Sequence, residues 1–186
     1  MAASLMSRRQ IPVGLAAGLG AAALSASGEP AAAAETDKQP GLVHTADAIH
    51  QSVTFAAPPD RVYAVLTSAE AFQKVVELGE AFKTMPAGKP KATISPDVGG
   101  AFSLFGGYIV GRHLDLKPGE RLVQAWREVI WDPGQFSLVS FHLAAHPGGA
   151  ALTFDHTGFP DGAGPHLSIG WYRDYWWPLA KYLAGA

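Results

Sequence analysis

The chain has 186 residues, of which 48% are hydrophobic and 16% are charged, and its formal net charge is −2. This composition supports one folded domain with a sizeable core and excludes global disorder. Basic residues do not cluster beyond Arg8-Arg9, so a nucleic-acid-binding role is not expected. The absence of cysteine excludes disulfides, thiolate metal sites, a cysteine nucleophile and lipid attachment at a cysteine.

The N-terminus is typical of an export signal. Arg8 and Arg9 form a twin-arginine pair, and the apolar stretch 13–24 that follows is shorter than the ~20 residues of a membrane span. Because this stretch is rich in Gly and Ala, its weak hydrophobicity favours the twin-arginine route over the general secretory route. Ala32-Ala33-Ala34 offers a small-x-small cleavage site before Glu35.

These signals divide the chain into three parts. We predict a signal peptide over residues 1–34, a polar linker over 35–44 and one domain over 45–186. The protein is therefore expected to be periplasmic or secreted, with no membrane span after the signal is removed. The alternative interpretation of the first part is a disordered Ala-rich tail.

The domain begins with a strand and two helices. Ile49, Val53 and Phe55 alternate with polar residues, which predicts a half-buried strand. Pro58-Pro59-Asp60 favours the start of a helix, and Ser68 can cap a second one. Segment 78–90 contains several Gly and Pro residues and is expected to be a mobile connection before a short strand at 92–94.

A series of strands follows. They are predicted over residues 101–105, 108–116, 121–131, 136–145 and 150–157. Turns rich in Gly and Pro separate them, and Lys117-Pro118-Gly119-Glu120 is the clearest of these turns. Because short turns join antiparallel neighbours, the sheet is predicted to be a meander.

The last segment, Gly164 to Ala184, has the periodicity of a long amphipathic helix. Its buried stripe is predicted to contain Trp171, Tyr172, Tyr175, Trp176, Leu179, Tyr182 and Leu183. The opposite side is predicted to contain Arg173, Asp174, Trp177 and Lys181. Pro178 lacks an amide hydrogen and clashes with the carbonyl of Asp174, which predicts a kink. The concave face of the sheet is the expected partner of the stripe.

The order of motifs in this half of the chain resembles a known family. The motifs are Val98-Gly99-Gly100-Ala101-Phe102, Gly106-Gly107-Tyr108, Lys117-Pro118-Gly119-Glu120, Phe154-Asp155-His156, Gly170-Trp171 and Tyr175-Trp176. Residues 48–184 resemble the C-terminal domain of the activator of heat-shock-protein ATPase, a family within the START and birch-pollen-allergen-like (SRPBCC) superfamily. The resemblance implies an α+β helix-grip fold. In that fold a curved antiparallel sheet of about six or seven strands wraps on a long C-terminal helix, with two short helices after the first strand.

The candidate catalytic residue is His156. It shares a strand face with Leu152 and Phe154, so it would line a cavity if that face points inward. There it could act as an acid, a base or a hydrogen-bond donor to a ligand, with Tyr108, Asp155 or Tyr175 as a possible partner. The alternative is a histidine hydrogen-bonded to a backbone carbonyl near the rim. An apolar cavity should keep His156 mostly neutral, since Asp155 points to the other face.

Arg127 and Glu128 point to opposite faces of their strand. Arg127 shares its face with Val123, Ala125 and Val129 and is a feature of the resembled family. A cross-strand ion pair is the favoured interpretation of Arg127, and an anion-binding arginine inside the cavity is the alternative.

The ligand-binding residues are predicted to be mainly aromatic, because a helix across a curved sheet rarely fills the whole space and an apolar cavity is the usual small-molecule site. The predicted set is Phe102, Leu104, Tyr108, Trp126, Phe141, Phe154, His156, Trp171 and Tyr175.

No metal site or cofactor is expected. None of the seven histidines forms a His-x-x-x-His pair on a predicted helix. His142 and His146 are four residues apart, but a strand would place them about 13 Å apart. Nucleophile-elbow, phosphate-loop and dinucleotide-binding motifs are absent.

These features predict an exported START-like protein that binds a hydrophobic small molecule or lipid between sheet and helix. The alternative is an enzyme of the polyketide cyclase or hydratase type that uses His156. A co-chaperone role ranks last, because export would separate the protein from the heat-shock ATPase and its ATP. A shared fold does not by itself decide among these functions.

The predicted export can be tested by N-terminal sequencing of the mature protein, which should begin near Glu35. Changing Arg8 and Arg9 together to Lys should block export, because the twin-arginine route requires the arginine pair. Export that persists in this variant would indicate the general secretory route. A cytoplasmic protein that retains residues 1–34 would contradict the signal-peptide prediction.

Overall fold

A computed structural model describes residues 48–185. The predicted signal peptide, its cleavage site and the linker therefore lie outside the described residues, and all three stay predictions. No helix within residues 48–185 is long and apolar enough to cross a bilayer.

The described residues form one seven-stranded antiparallel sheet. The strands are β1 (Ala48–Phe55), β2 (Thr93–Ile94), β3 (Ala101–Leu104), β4 (Ile109–Lys117), β5 (Arg121–Glu128), β6 (Ser137–His146) and β7 (Gly149–Thr157). Their order across the sheet is β1-β7-β6-β5-β4-β3-β2. Strands β2 to β7 thus form the predicted meander, and β1 closes the far edge by pairing with β7, with Ile49 opposite His156. Together with the helices, this confirms the predicted helix-grip fold.

Short helices follow β1. They are α1 (Pro59–Thr67), α2 (Ala69–Leu78) and α3 (Glu80–Thr84). The Ser68 hydroxyl accepts a hydrogen bond from the amide of Ala71, so it caps α2 as predicted. Helix α3 corrects the expectation of an unstructured connection at 78–90. The chain is extended at Gly79, between α2 and α3, and a Cβ added there would lie 3.6 Å from the Pro178 ring.

Strands β3 and β5 end earlier than predicted. Strand β3 ends at Leu104, because Phe105 adopts a positive φ of 50° and opens a 3₁₀ turn over Phe105–Gly107. Strand β5 ends at Glu128, where the amide of Trp131 bonds back to the Glu128 carbonyl. Trp131 was predicted to be a strand residue and instead folds over the end of β5.

The C-terminal helix runs without interruption from Gly164 to Gly185 in three parts. They are α4 (Gly164–Gly170), a π-helical turn (Trp171–Trp176) and α5 (Trp177–Gly185). In the π turn the amide of Trp177 bonds to the carbonyl of Tyr172, five residues earlier. The turn lies just before Pro178, where a kink was predicted. A wider turn relieves the contact between the proline ring and the preceding turn.

The π turn corrects the predicted helical stripe. Tyr172 was predicted to be buried but is 65% exposed, whereas Asp174 was predicted on the outer side but is buried. A π turn places residues five apart above one another, so Trp171 and Trp176 both face the sheet. Their rings stack with centroids 5.5 Å apart. An uninterrupted α-helix would separate these two side chains around the helix.

The centre of the core is a tight aromatic cluster. The ring of Phe154 on β7 lies 4.3 Å from Trp171 and 5.1 Å from Trp176. Phe141 on β6 lies 5.2 Å from Phe154. These contacts join the helix directly to the middle of the sheet.

The π turn predicts an unequal response of neighbouring aromatic residues to truncation. Trp171→Ala or Trp176→Ala should lower the free energy of unfolding by roughly 3–5 kcal/mol, because both side chains are buried. Trp177→Ala and Tyr172→Ala should cost much less. Urea unfolding of the four variants measures this difference. Equal losses at Trp176 and Tyr172 would contradict the π turn.

Candidate functional site

A cavity of about 400 Å³ lies at one end of the sheet, beside the central aromatic cluster. Its walls come from α3 and the segment after it, the β3–β4 turn, the end of β5, and the first half of the C-terminal helix. The lining residues are Ala81, Thr84, Met85, Pro86, Lys89, Phe105, Gly106, Gly107, Tyr108, Ile109, Trp126, Glu128, Val129, His166, Leu167, Gly170, Trp171, Arg173, Asp174 and Tyr175.

The structure places four of the nine predicted ligand-binding residues on the cavity wall: Tyr108, Trp126, Trp171 and Tyr175. The other five lie in the solid core and do not line the cavity: Phe102, Leu104, Phe141, Phe154 and His156. The physical reason is the direct packing of the helix on β6 and β7, which fills the middle of the sheet. The open space is thereby displaced towards β3, β4 and the end of β5.

His156 is a fully satisfied core residue. Its Nδ1 accepts a hydrogen bond from the indole of Trp171 at 3.0 Å, and its Nε2 donates to the Ser137 hydroxyl at 2.7 Å. Ser137 in turn donates to the carbonyl of Trp126. Neither ring nitrogen is left for a substrate, so His156 is a poor acid or base for chemistry in the cavity. None of its suggested partners Tyr108, Asp155 and Tyr175 contacts its ring nitrogens.

Burial keeps the His156 imidazole neutral, as the sequence analysis expected. Desolvation lowers its pKa from 6.5 to about 3. Asp155 lies on the opposite face of β7 and contacts His50 at 2.6 Å instead. The charge on Asp155 therefore does not oppose the desolvation of His156.

Glu128 is the polar residue that distinguishes the cavity. It is only 4% exposed at the end of β5. One carboxylate oxygen accepts from Nε2 of His166 at 3.0 Å, and the other accepts from the indole of Trp131 at 3.2 Å. His166 itself is largely exposed, so it covers the carboxylate from the solvent side. An acceptor group is thus held at the edge of an otherwise aromatic space.

Two tyrosines flank this carboxylate in their neutral forms. Burial raises the pKa of Tyr108 to about 12, and the negative charge of Glu128 contributes to the increase. Burial also raises the pKa of Tyr175 well above its usual value. The hydroxyl of Tyr175 lies 3.5 Å from the indole nitrogen of Trp126. Both phenols can therefore donate hydrogen bonds to a molecule in the cavity at neutral pH.

The remaining charged groups of the wall are paired or exposed. Arg173 binds Asp174 through two nitrogen atoms, at distances between 2.6 and 3.1 Å. Lys89 is exposed on the solvent side of the cavity. Glu128 is therefore the carboxylate of the wall that lacks a Lys or Arg partner within the described residues.

Both interpretations of Arg127 were wrong. Among residues 48–185 it has no carboxylate partner, and it does not line the cavity. Its guanidinium instead donates to the carbonyl of Trp131 at 2.5 Å and lies over the ring of Phe136. Arg127 therefore holds the loop that follows β5, and this loop brings Trp131 onto Glu128.

Sequence reasoning missed Glu128 and His166 as site residues. The signal for Glu128 was present, because the period of two places Leu122, Gln124, Trp126 and Glu128 on one buried face of β5. His166 had no such signal, since its contact with Glu128 joins residues far apart in the sequence.

A second buried histidine, His113, lies near Gln124 away from the cavity, and burial lowers its pKa. No group of three or more potential metal ligands occurs in the described part of the chain.

Comparisons with known proteins agree with this architecture. The family model described as Activator of Hsp90 ATPase homolog 1-like protein matches residues 56–184. An uncharacterised protein of Schizosaccharomyces pombe is 33% identical over 100 residues, which are 54% of this chain and 26% of that protein. Activator of 90 kDa heat shock protein ATPase homolog 2 of Mus musculus is 23% identical over 69% of this chain and 35% of its own length. The chain thus spans about a third or less of these curated relatives.

Solved structures show the same fold. An HSP90 activator from Plasmodium falciparum has a TM-score of 0.64 and 19% identity, over 74% of this chain and 96% of that one. A protein from Chromobacterium violaceum has a TM-score of 0.56 and 26% identity, with the same coverage of both chains. These matches confirm the helix-grip fold, and the family match over residues 56–184 confirms the family inferred from the sequence.

The buried neutral state of His156 predicts a pH-dependent stability. Because its pKa in the folded protein lies below 6.5, the unfolded chain binds more protons between pH 6.5 and about 3. The stability that His156 contributes is complete above this window and is lost as the pH falls through it. The loss should reach at most ~1.4 kcal/mol per pH unit.

Urea unfolding across this range measures the slope of the free energy of unfolding against pH. That slope should be shallower for His156→Gln than for the wild type. His142→Gln, at an exposed histidine of β6, should keep the wild-type slope. Equal slopes for wild type and His156→Gln would show that His156 titrates normally.

Proposed function

The chain belongs to the Activator of Hsp90 ATPase homolog 1-like family, whose START-like fold supports a ligand-binding domain, and we propose that it binds a hydrophobic small molecule or lipid. The proposed binding site is the cavity between the β3–β5 end of the sheet and the C-terminal helix. We also propose that the protein acts outside the cytoplasm, as the motifs of residues 1–34 suggest.

The observation that carries this proposal is the cavity itself. Its volume of about 400 Å³ lies within the range of small-molecule sites, roughly 300–1,000 Å³. Phe105, Ile109, Trp126, Trp171 and Tyr175 provide apolar surface, and a few polar groups converge at one end. This combination of an apolar wall with few polar groups is typical of a site for an amphipathic molecule.

The segment around the cavity supports access for a ligand. Pro86 and Lys89 lie in a stretch without regular structure after α3, and both are exposed while lining the cavity. Gly106 lies beneath this stretch, where a Cβ would come within 2.9 Å of both Met85 and Lys89. The wall on this side thus consists of loop residues, which can move aside more easily than paired strands.

A catalytic role is the second candidate, and the structure changes which residues it would use. Both ring nitrogens of His156 are hydrogen-bonded within the core, to Ser137 and Trp171. Glu128 and His166, in contrast, form a titratable pair 3.0 Å apart at the cavity. Such a pair is the minimum for acid–base chemistry of the cyclase or hydratase type. Mass spectrometry of molecules recovered after incubation would distinguish the two roles, since a binder returns its ligand unchanged.

The names of the mouse and Dictyostelium discoideum relatives describe activators of the 90 kDa heat-shock ATPase. The chain covers 35% and 22% of these longer proteins, so an activity of the whole relative does not transfer to it directly. Together with the predicted export, this keeps the co-chaperone role last among the three. Stimulation of a purified Hsp90 ATPase by the full chain would reverse that order.

Filling the cavity should abolish ligand binding while preserving the fold. The wild type should bind a fluorescent fatty-acid or aromatic probe with micromolar affinity, about −8 kcal/mol. Gly170 lines the cavity with helical backbone angles, and an added Cβ would meet no atom within 4 Å. Gly170→Leu should therefore fold normally and weaken probe binding by about tenfold or more, as measured by fluorescence titration.

Two variants control for this substitution. Gly170→Ala should gain up to about 1 kcal/mol of stability from helix propensity and should bind the probe nearly as the wild type does. Ala180→Leu adds a similar side chain at an exposed position of α5 and should leave binding unchanged. A folded wild type that binds none of a broad set of apolar probes would contradict the binding role and favour an interaction module.

A further inference from the structure

We propose that the cavity selects an organic cation, a protonated amine attached to an apolar body, and that Glu128 is its counter-ion. This inference rests on the proposed ligand-binding function and names the class of ligand. It is carried by the position of Glu128, by the charges around it and by the aromatic wall.

The carboxylate of Glu128 is buried but retains hydrogen-bonding capacity. A carboxylate has about four lone-pair sites. The contacts with His166 and Trp131 use one on each oxygen, and the Tyr108 hydroxyl also hydrogen-bonds the carboxylate, so about one site is left. A buried carboxylate is costly unless it is paired and fully hydrogen-bonded. A cationic donor that enters the cavity would supply the charge partner that the described residues do not provide as Lys or Arg.

The Lys, Arg and Asp side chains of the wall do not compete for this role. Asp174 is occupied by the guanidinium of Arg173, which approaches as close as 2.6 Å. Lys89 is exposed, so solvent screens its charge. An anionic ligand near Glu128 would instead place two negative charges in an apolar space, which is strongly unfavourable.

The aromatic wall suits a cation as well as an apolar body. Trp126 and Trp171 have ring centroids 5.5 Å apart, Trp171 and Tyr175 lie 4.1 Å apart, and Tyr175 and Phe105 lie 5.2 Å apart. All four residues line the cavity, and Tyr108 joins them beside Glu128. Ring faces attract cations through their quadrupole, and the attraction increases when water is excluded.

The test compares three molecules with the same eight-carbon chain: octylamine, octanol and octanoate. At neutral pH they carry a positive charge, no charge and a negative charge. Isothermal titration calorimetry of the full chain should show octylamine binding about tenfold or more tightly than octanol, because hydrogen bonds to charged groups are the stronger ones. Octanoate should bind least tightly.

Glu128→Gln removes the charge but keeps the shape of the side chain. It should weaken octylamine binding and so bring octylamine and octanol to within about twofold of each other. Glu77→Gln makes the same charge change on the exposed side of α2, away from the cavity, and should keep the wild-type preference. Tyr108→Leu removes a half-exposed aromatic face and should weaken octylamine relative to octanol by roughly two- to fivefold.

The outcomes separate this inference from the function on which it rests. If none of the three molecules binds, the ligand-binding proposal fails together with the inference. If octanol binds and octylamine shows no advantage, or octanoate binds best, the cavity binds ligands but the cation inference is overturned. If Glu128→Gln does not fold, the Tyr108→Leu comparison and a loss of octylamine preference at high salt test the inference in its place. An unchanged preference in both measurements would also overturn it.

Discussion

The packing of Trp171 and Trp176 against the middle of the sheet is the constraint on which the rest of the structure depends. Both indoles can face the sheet only because a π turn replaces one α-helical turn between them. Together with Phe154 they fill the centre completely. The space that a helix leaves on a curved sheet is therefore displaced to one end, where β3, β4 and the end of β5 extend beyond the aromatic cluster.

The chemical character of that space depends on two buried titratable side chains, His156 and Glu128. The core satisfies the hydrogen bonds of His156 fully and those of Glu128 only in part. His156 has lost its charge by burial, and Trp171 and Ser137 use both of its nitrogens. It stabilises the core and joins the helix to the sheet. Glu128 lies at the edge of the cluster, and its hydrogen bonds with His166, Trp131 and Tyr108 leave part of its carboxylate free. A polar group that the core cannot satisfy fully remains available to a ligand, and this makes Glu128, rather than His156, the centre of the candidate site.

Family membership and local structure contribute different parts of this picture. The matched relatives and structures share the sheet and the C-terminal helix, which is the part of the fold that positions any cavity. The wall of this cavity also contains α3, the loop after it and the β3–β4 turn. Such connecting segments vary among proteins of one fold more than the core does. In the proposed function the choice of ligand would depend on these segments and on Glu128, and fold similarity does not supply it.

The sequence by itself determined the order of the strands, the helices other than α3, the meander and the class of fold, because those depend on local periodicity and turn residues such as Lys117-Pro118-Gly119-Glu120. It also determined that His156 would be neutral, since an apolar surrounding disfavours imidazolium whatever the detailed geometry. Only the tertiary structure decided which side chains line the cavity. Because of the π turn, Tyr172 is exposed and Asp174 is buried, the reverse of what the sequence predicted. The contact of His166 with Glu128 joins residues 38 positions apart. Those outcomes depend on packing between distant segments, and periodicity along the chain carries no information about such contacts.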